Sequence, residues 1–373
     1  MNNPDPTYNE AVIKKGDIGS SILEKLTSQT LENSEFVKTV NIGRQKANLV
    51  SIPDDYLVIV HSACGNHGER DVSAHAASMV QNLIDMLRRF DAKPIAFANV
   101  IDSNSGDDRI LQAAAKGMIH MANTYRLAIL NGENAILGER INPDIQANVS
   151  GTMVSIIKKD RAKPGVYNIG KDYLAIFDPN GRKVYVNSDG VGTKTEIYER
   201  LKAYHELILQ KDGLENYERG LVDSAAMKAD DLIKLGAHAK VISDVVETRT
   251  KDLRIQKFYD KAKKIGKRLD AGHILQWEIV GDRICGPYKQ AINISGSSVS
   301  TIDDRFIQNP LRPNARDYLI AIRGNPNPRS NGITDKRKAM IKMLGERWEL
   351  AKDAEYFFKY LAEPSTFILF LGN

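Results

Sequence analysis

The sequence predicts a mixed α/β fold: one α/β unit used twice, followed by the start of a further α/β domain. Strands and helices alternate along the chain, five landmarks recur in the same order, and a new strand and polar loop open after the second set. In the first set, Leu57-Val58-Ile59-Val60 leads into His61-Ser62-Ala63-Cys64-Gly65. A helix follows, then the apolar run Ile95 to Val100 and a second helix over about 109–122. The segment Ala128 to Asn134 and the run Val149 to Ile157 close the unit. From Lys183 the order returns: strand and Asp-Gly turn, a helix containing Ala229-Asp230-Asp231-Leu232-Ile233, and the strand Lys240 to Val245. A further helix, Glu278 to Arg283, and Ile294 to Ser300 complete it. Alternation with this punctuation argues for layered α/β units, and recurrence in order argues for duplication. The boundaries are 1–165 for the first unit, 166–315 for the second and 316–373 for a partial C-terminal domain.

At 373 residues, 42% apolar and 27% charged, the chain has room for two or three domains with real cores. A net charge of +5 suits phosphorylated small molecules and gives no reason to expect nucleic acid. Much of the excess lies in 251–268, where Arg254, Lys257, Lys261 and Lys264 alternate with Leu253, Ile255, Phe258 and Ile265; this reads as an amphipathic helix with a solvated basic face. Cys64 and Cys285 form no metal or redox motif and fit a reducing cytosol. His61, His67 and His75 lack zinc spacing. The first residues lack a signal-peptide pattern. The longest apolar run near the end, Phe367-Ile368-Leu369-Phe370-Leu371, is far too short to cross a bilayer. A cytoplasmic protein without a membrane partner is expected.

The most informative stretch is Asn187-Ser188-Asp189-Gly190-Val191-Gly192-Thr193-Lys194-Thr195, directly after the alternating strand Lys183-Val184-Tyr185-Val186. Glycines let a backbone approach a phosphate and aim its N–H groups at it. A carboxylate beside such a turn can hold Mg²⁺, which takes oxygen ligands and bridges phosphate oxygens; a lysine adds a positive charge. A Walker A loop is excluded because Thr193 separates Gly192 from Lys194. Asp-Gly by itself equally marks a hairpin turn.

Further carboxylates follow. Asp223, Asp230 and Asp231 fall on a helix expected over about 220–235, with Asp223 and Asp230 on one face two turns apart. A solvated acidic face accounts for Asp230 equally well. Asp244 ends a strand, where ligands collect in open α/β layers and where a capping Asp looks the same.

Asp189 to Lys194 resembles the Asp-Gly-Val-Gly-Thr-Lys signature of aminoimidazole ribonucleotide synthase (phosphoribosylformylglycinamidine cyclo-ligase), within an ATP-binding superfamily. Asp231 matches the Asp of that family's Asn-Asp-Leu segment, and Asp244 the Asp of Phe-Leu-Asp. Asn131-Gly132-Glu133 resembles Gly-Gly-Glu-Thr, where the second copy is read as carrying Gly281-Asp282-Arg283. Ser330-Asn331-Gly332 resembles the loop opening the C-terminal domain, with Arg329 in place of histidine, and Leu361 to Thr366 resembles its Leu-Ala-Pro-Thr segment. The resemblance implies ATP and Mg²⁺, with Asp189 and Asp231 as metal ligands and, with Lys194, the catalytic set. It implies the Gly190, Val191, Gly192 and Thr193 amides and Lys194 on the phosphates, Asp244 and Glu133 at the nucleotide, and Ser330, Asn331 and Gly332 at a phosphorylated substrate. The implied reaction is ring closure of formylglycinamidine ribonucleotide. The alternatives are a non-catalytic nucleotide-binding or assembly subunit, and a formylglycinamidine synthase-like enzyme. A homo-oligomer, or a partner chain completing the C-terminal domain, is expected. In the first copy Ala63 stands at the place of Asp189 and Met86 at that of Asp231, so the first copy lacks the residues for a hard metal. Two alternatives follow: one shared site that Glu133 of the first copy completes, or simple decay of that copy.

Overall fold

The computed structural model describes residues 23–365 apart from 26, 43–44, 171, 234, 252–254 and 309–331. The strand expected over 317–322, Ser330, Asn331 and the run 367–371 lie outside the described residues.

Among the described residues the first strands are the hairpin β1 (Val37–Ile42) and β2 (Gln45–Val50), preceded by a 3-10 turn at Leu31–Asn33. Then come β3 (Tyr56–Cys64), α1 (Val72–Arg88), β4 (Lys93–Ser103), α2 (Asp108–Tyr125), β5 (Ala128–Ile136) and β6 (Ala147–Lys158). A second hairpin, β7 (Gly165–Ile169) and β8 (Asp172–Phe177), precedes β9 (Lys183–Gly190), α3 (Lys194–Leu207), α4 (Glu215–Ile233), β10 (Ala237–Thr248), α5 (Ile255–Leu269), β11 (Gly272–Ile279) and β12 (Ile292–Ile302). Three more helices follow: α6 (Asp304–Gln308), α7 (Ile333–Leu344) and α8 (Ala354–Leu361). Local chemistry sets these boundaries. Asp71 accepts from Ala74 N at 2.7 Å to cap α1, and Asp107 accepts from Arg109 N to cap α2. The basic helix α5 buries Phe258, Ala262 and Ile265 and turns its lysines outward, as its spacing predicts.

Two six-stranded sheets result, ordered β5-β4-β6-β3-β8-β7 and β11-β10-β12-β9-β2-β1. The four strands of each unit take the same order and directions, so the duplication is real. Register fixes the equivalences: Ala63 and Asn99 flank Gly151 in one sheet, as Asp189 and Asp244 flank Gly296 in the other. The hairpins are exchanged. β2 precedes the first unit yet pairs with β9 (Leu49–Tyr185), while β8 precedes the second unit yet pairs with β3 (Phe177–Val58).

The inner faces of both sheets meet in a shared core that includes Val58, Val60, Ile95, Val154, Val184, Val186, Val241 and Val299. Each fully buried Val or Ile there is worth roughly 1.5–3 kcal/mol, and β-branched residues suit strands buried on both faces. The outer face of one sheet carries α1 and α2, and that of the other carries α3, α4, α5, α7 and α8. Gly281-Asp282-Arg283 is a single 3-10 turn after β11, matching Gly138-Glu139-Arg140 after β5 rather than Asn131-Gly132-Glu133. Sheet register instead sets Gln276 opposite Val245 as Glu133 is set opposite Val100.

Candidate functional site

Along β9, Tyr185, Asn187 and Asp189 share the half-buried face while Val184, Val186 and Ser188 point into the core. The chain then turns sharply: Gly192 has φ +61, a left-handed conformation that favours glycine. Gly190 N donates to Asp189 Oδ1 at 2.7 Å and Val191 N to Ile294 O at 2.9 Å. Those two amides are therefore committed, one to the turn's own aspartate and one to β12. Thr193 Oγ1 lies 2.8 Å from Thr334 Oγ1, so α7 covers the turn from the other side.

Beside the turn is a cavity of about 780 Å³, lined by polar groups including Asn99, Asn131, Asn187, Asp231, Lys46 and Tyr185. Glu133 comes from the first unit and Asp189 and Asp231 from the second; both aspartates act on the charge of Glu133, and of the three Asp231 lines the cavity. Burial, then Asp189, Asp102 and Asp231 in turn, push the Glu133 carboxyl up to about 8. Among the described residues, however, no three His, Cys, Asp or Glu side chains come close enough together to hold a metal ion, so Glu133 is not placed as a third ligand beside Asp189 and Asp231. The pseudo-equivalent cavity of about 540 Å³ is lined by Ala63, Met86 and Gln276, which stand at the places of Asp189, Asp231 and Glu133, and by a different set of carboxylates, Asp85, Asp172 and Glu278.

Other residues singled out by sequence go elsewhere. Lys194 is 1% exposed; its Nζ donates to Asp223 Oδ1 at 3.0 Å and to the Glu363 carbonyl at 2.8 Å. Asp223 also accepts from Tyr198 Oη and from Ser365 N. This ammonium is thus held beneath the C-terminal segment, away from the cavity lining. Asp244 is fully buried, accepting from Ser224 Oγ at 2.7 Å, His273 Nε2 at 2.7 Å and Lys228 Nζ. Despite burial, the Lys228 charge and the His273 bond hold its carboxyl down to about 2. Asp230 is buried, not on a solvated face. Gly332, in a left-handed conformation, leads into α7 next to the turn.

One cluster escapes sequence reasoning, its signal being the paired strings Asn148-Val149-Ser150-Gly151 and Asn293-Ile294-Ser295-Gly296. Where the two units meet, Asn293 Nδ2 donates to Asp102 Oδ2 and Glu247 Oε2, both at 2.8 Å, while Asn148 Nδ2 donates to both Glu247 oxygens at 2.7 Å. Burial and then the Glu247 charge push Asp102 up to about 7. A folded-state pKa above the ordinary value means the native protein keeps a proton that the unfolded chain releases. Stability should therefore fall as pH rises from about 4 to 7. Asp102→Asn is expected to raise stability by about 1–3 kcal/mol at pH 8 and to leave it unchanged at pH 4. Urea unfolding at both pH values checks this.

Residues 45–153, from β2 to near the end of β6, match the family described as AIR synthase related protein, N-terminal domain. A phosphoribosylformylglycinamidine cyclo-ligase of Thermococcus kodakarensis is 23% identical over 198 residues, 52% of this chain and 52% of its own length. That of Thermoplasma acidophilum is 24% identical over 234 residues, 61% of this chain and 63% of its own length. The chain thus spans about half to six tenths of the length of these curated relatives. Among solved structures, Thermotoga maritima PurL complexed with AMPPCP is similar with a TM-score of 0.45 and 8% identity, covering 78% of this chain and 79% of that one. The match to residues 45–153, the repetition of their topology over 183–302 and the cyclo-ligase relatives show a chain that resembles aminoimidazole ribonucleotide synthase and its ATP-binding superfamily.

Proposed function

We propose that this protein is an ATP- and Mg²⁺-dependent cyclo-ligase that closes formylglycinamidine ribonucleotide to aminoimidazole ribonucleotide. The observation that carries the reading is the cavity lined by Asn99 and Asn131 from one unit and Asp231 from the other, with the charges of Asp189 and Asp231 acting on Glu133 of the first unit. Asp189 and Asp231 would hold Mg²⁺, which when bound neutralises phosphate charge, with Glu133 at the nucleotide. In the reaction the substrate's amide oxygen attacks the terminal phosphorus of ATP, and ADP leaves. A substrate amine nitrogen then attacks the activated carbon; phosphate departs and a proton is lost as the ring forms. The residues contribute by orienting the reactants and balancing charge, which suffices for such transfers. Asp223 and the Glu363 carbonyl, by fixing Lys194, hold the start of α3 and so the shape of the turn.

The test is incubation of the full chain with Mg·ATP and formylglycinamidine ribonucleotide, following ADP and aminoimidazole ribonucleotide together. Both products are expected, and Glu133→Gln is expected to slow their formation by about 100-fold, the scale of one lost electrostatic contact in a transition state. Nucleotide binding with neither product would favour a non-catalytic subunit, a reading supported by the engaged Lys194 and the covered turn.

A further inference from the structure

The cavity beside the turn contains three carboxamides, each with one polar atom that finds no hydrogen-bond partner within the protein. Asn99 is 2% exposed, and its Nδ2 has no acceptor; the same holds for Asn187 Nδ2, while Asn131 Oδ1 has no donor. Asn131 is oriented by its own Nδ2, which donates to the Val186 carbonyl across the join between β5 and β9, leaving the oxygen as its idle atom. Gly132 makes room for this arrangement, since a Cβ there would lie 2.6 Å from Asn99 Oδ1. All three side chains line the cavity that Asp231 also lines. Buried amides without partners cost stability unless a ligand satisfies them. The arrangement is also one-sided: His61 replaces Asn187 in the pseudo-equivalent cavity and bonds the Tyr173 carbonyl at 3.0 Å, and Asp244 replaces Asn99 but sits within its buried ion group.

Two idle donors and one idle acceptor beside the Asp231 carboxylate fit an anion accompanied by a cation. Neutral donors can approach phosphate oxygens without adding to the charge of the site, and an amide oxygen suits a hard cation beside a carboxylate. We propose that Asn99, Asn131 and Asn187 are positioning residues that receive the polyphosphate of the bound nucleotide. Asn99 and Asn187 donate to its oxygens, and Asn131 Oδ1 faces the accompanying cation. This rests on the reading of the cavity as a nucleotide site.

The test is calorimetric binding of ATP, inorganic tripolyphosphate and adenosine, with Mg²⁺, to the full chain and to Asn187→Ala and the near-isosteric Asn187→Asp. Thermal unfolding of each variant confirms that it is folded. Affinity for ATP and tripolyphosphate is expected to fall 10- to 100-fold in Asn187→Ala, the range for a hydrogen bond to a charged group. The loss is expected to be larger in Asn187→Asp, with adenosine unaffected. Unchanged polyphosphate affinity in both variants would overturn the proposal and leave the nucleotide reading intact. An equal loss for adenosine would also overturn it, assigning the amides to the base instead. A wild-type chain that binds neither ATP nor tripolyphosphate would remove the nucleotide reading and this inference with it.

Discussion

Replacing Asp231 with asparagine is expected to lower Mg·ATP-dependent product formation about a thousandfold, roughly 4 kcal/mol of lost transition-state stabilisation. The expectation follows from position: Asp231 lines the cavity, and its charge is among those that raise Glu133. The same geometry predicts an opposite effect on the ligand-free protein. Removing the Asp231 charge relieves Glu133, so the thermal midpoint without ligand should stay level or rise. Stabilisation by Mg·ATP should disappear at the same time, because ligand binding raises the midpoint only through affinity for the native state. Asp231→Asn is therefore checked by two measurements, turnover and melting with and without Mg·ATP. Lost turnover with a lowered ligand-free midpoint would mean that Asp231 supports the fold instead of the site.

Asp244→Asn is expected to destabilise the protein by about 3–5 kcal/mol, the cost of leaving a buried cation without its counter-charge. Lys228 and His273 both close on Asp244 and all three are essentially buried. The pH behaviour carries a sign. With its carboxyl held down to about 2, Asp244 contributes stability that is complete above the ordinary carboxylate range and lost as pH falls from about 4 toward 2. Chemical unfolding of Asp244→Asn should show its deficit at pH 7 and a smaller one near pH 3. The first unit indicates the compensation: Asn99 stands at the position of Asp244, Ile129 takes the register of His273, and Leu83 packs with Ile129 in an apolar cluster. Lys228→Leu added to Asp244→Asn should recover part of the loss, since replacing a buried charge network by apolar groups is often neutral or favourable.

The repeat was legible because its landmarks are local: an apolar strand, a glycine turn and a helix with caps each leave a short pattern. Ala63 and Asp189, or Met86 and Asp231, could be paired by their offsets, and sheet register agrees for the strands. The equivalence of Gly281-Asp282-Arg283 with Asn131-Gly132-Glu133 failed because a Gly-acid-Arg string recurs as Gly138-Glu139-Arg140 and the loop signal was placed one turn too early. The fates of Lys194 and Asp244 were not legible, since their partners, Asp223, Glu363, Lys228 and His273, are set by tertiary packing. The Asp102–Asn293–Glu247 cluster did leave a trace, the paired strings Asn148-Val149-Ser150-Gly151-Thr152 and Asn293-Ile294-Ser295-Gly296-Ser297. Periodicity cannot show that such strings meet across two sheets.

The exchanged hairpins have a consequence for how the chain is made. One sheet uses only residues 56–177 and can assemble as soon as they leave the ribosome. The hairpin of β1 and β2, synthesised earlier, has no sheet to join until β9 appears. Until then its apolar residues, Val37, Ile42, Leu49 and Val50, lack their final cover. Long-range pairing of this kind slows folding and exposes strands to wrong partners. Two copies of the chain synthesised side by side could each lend the waiting hairpin to the other, giving an interlocked dimer from the same contacts that close the monomer.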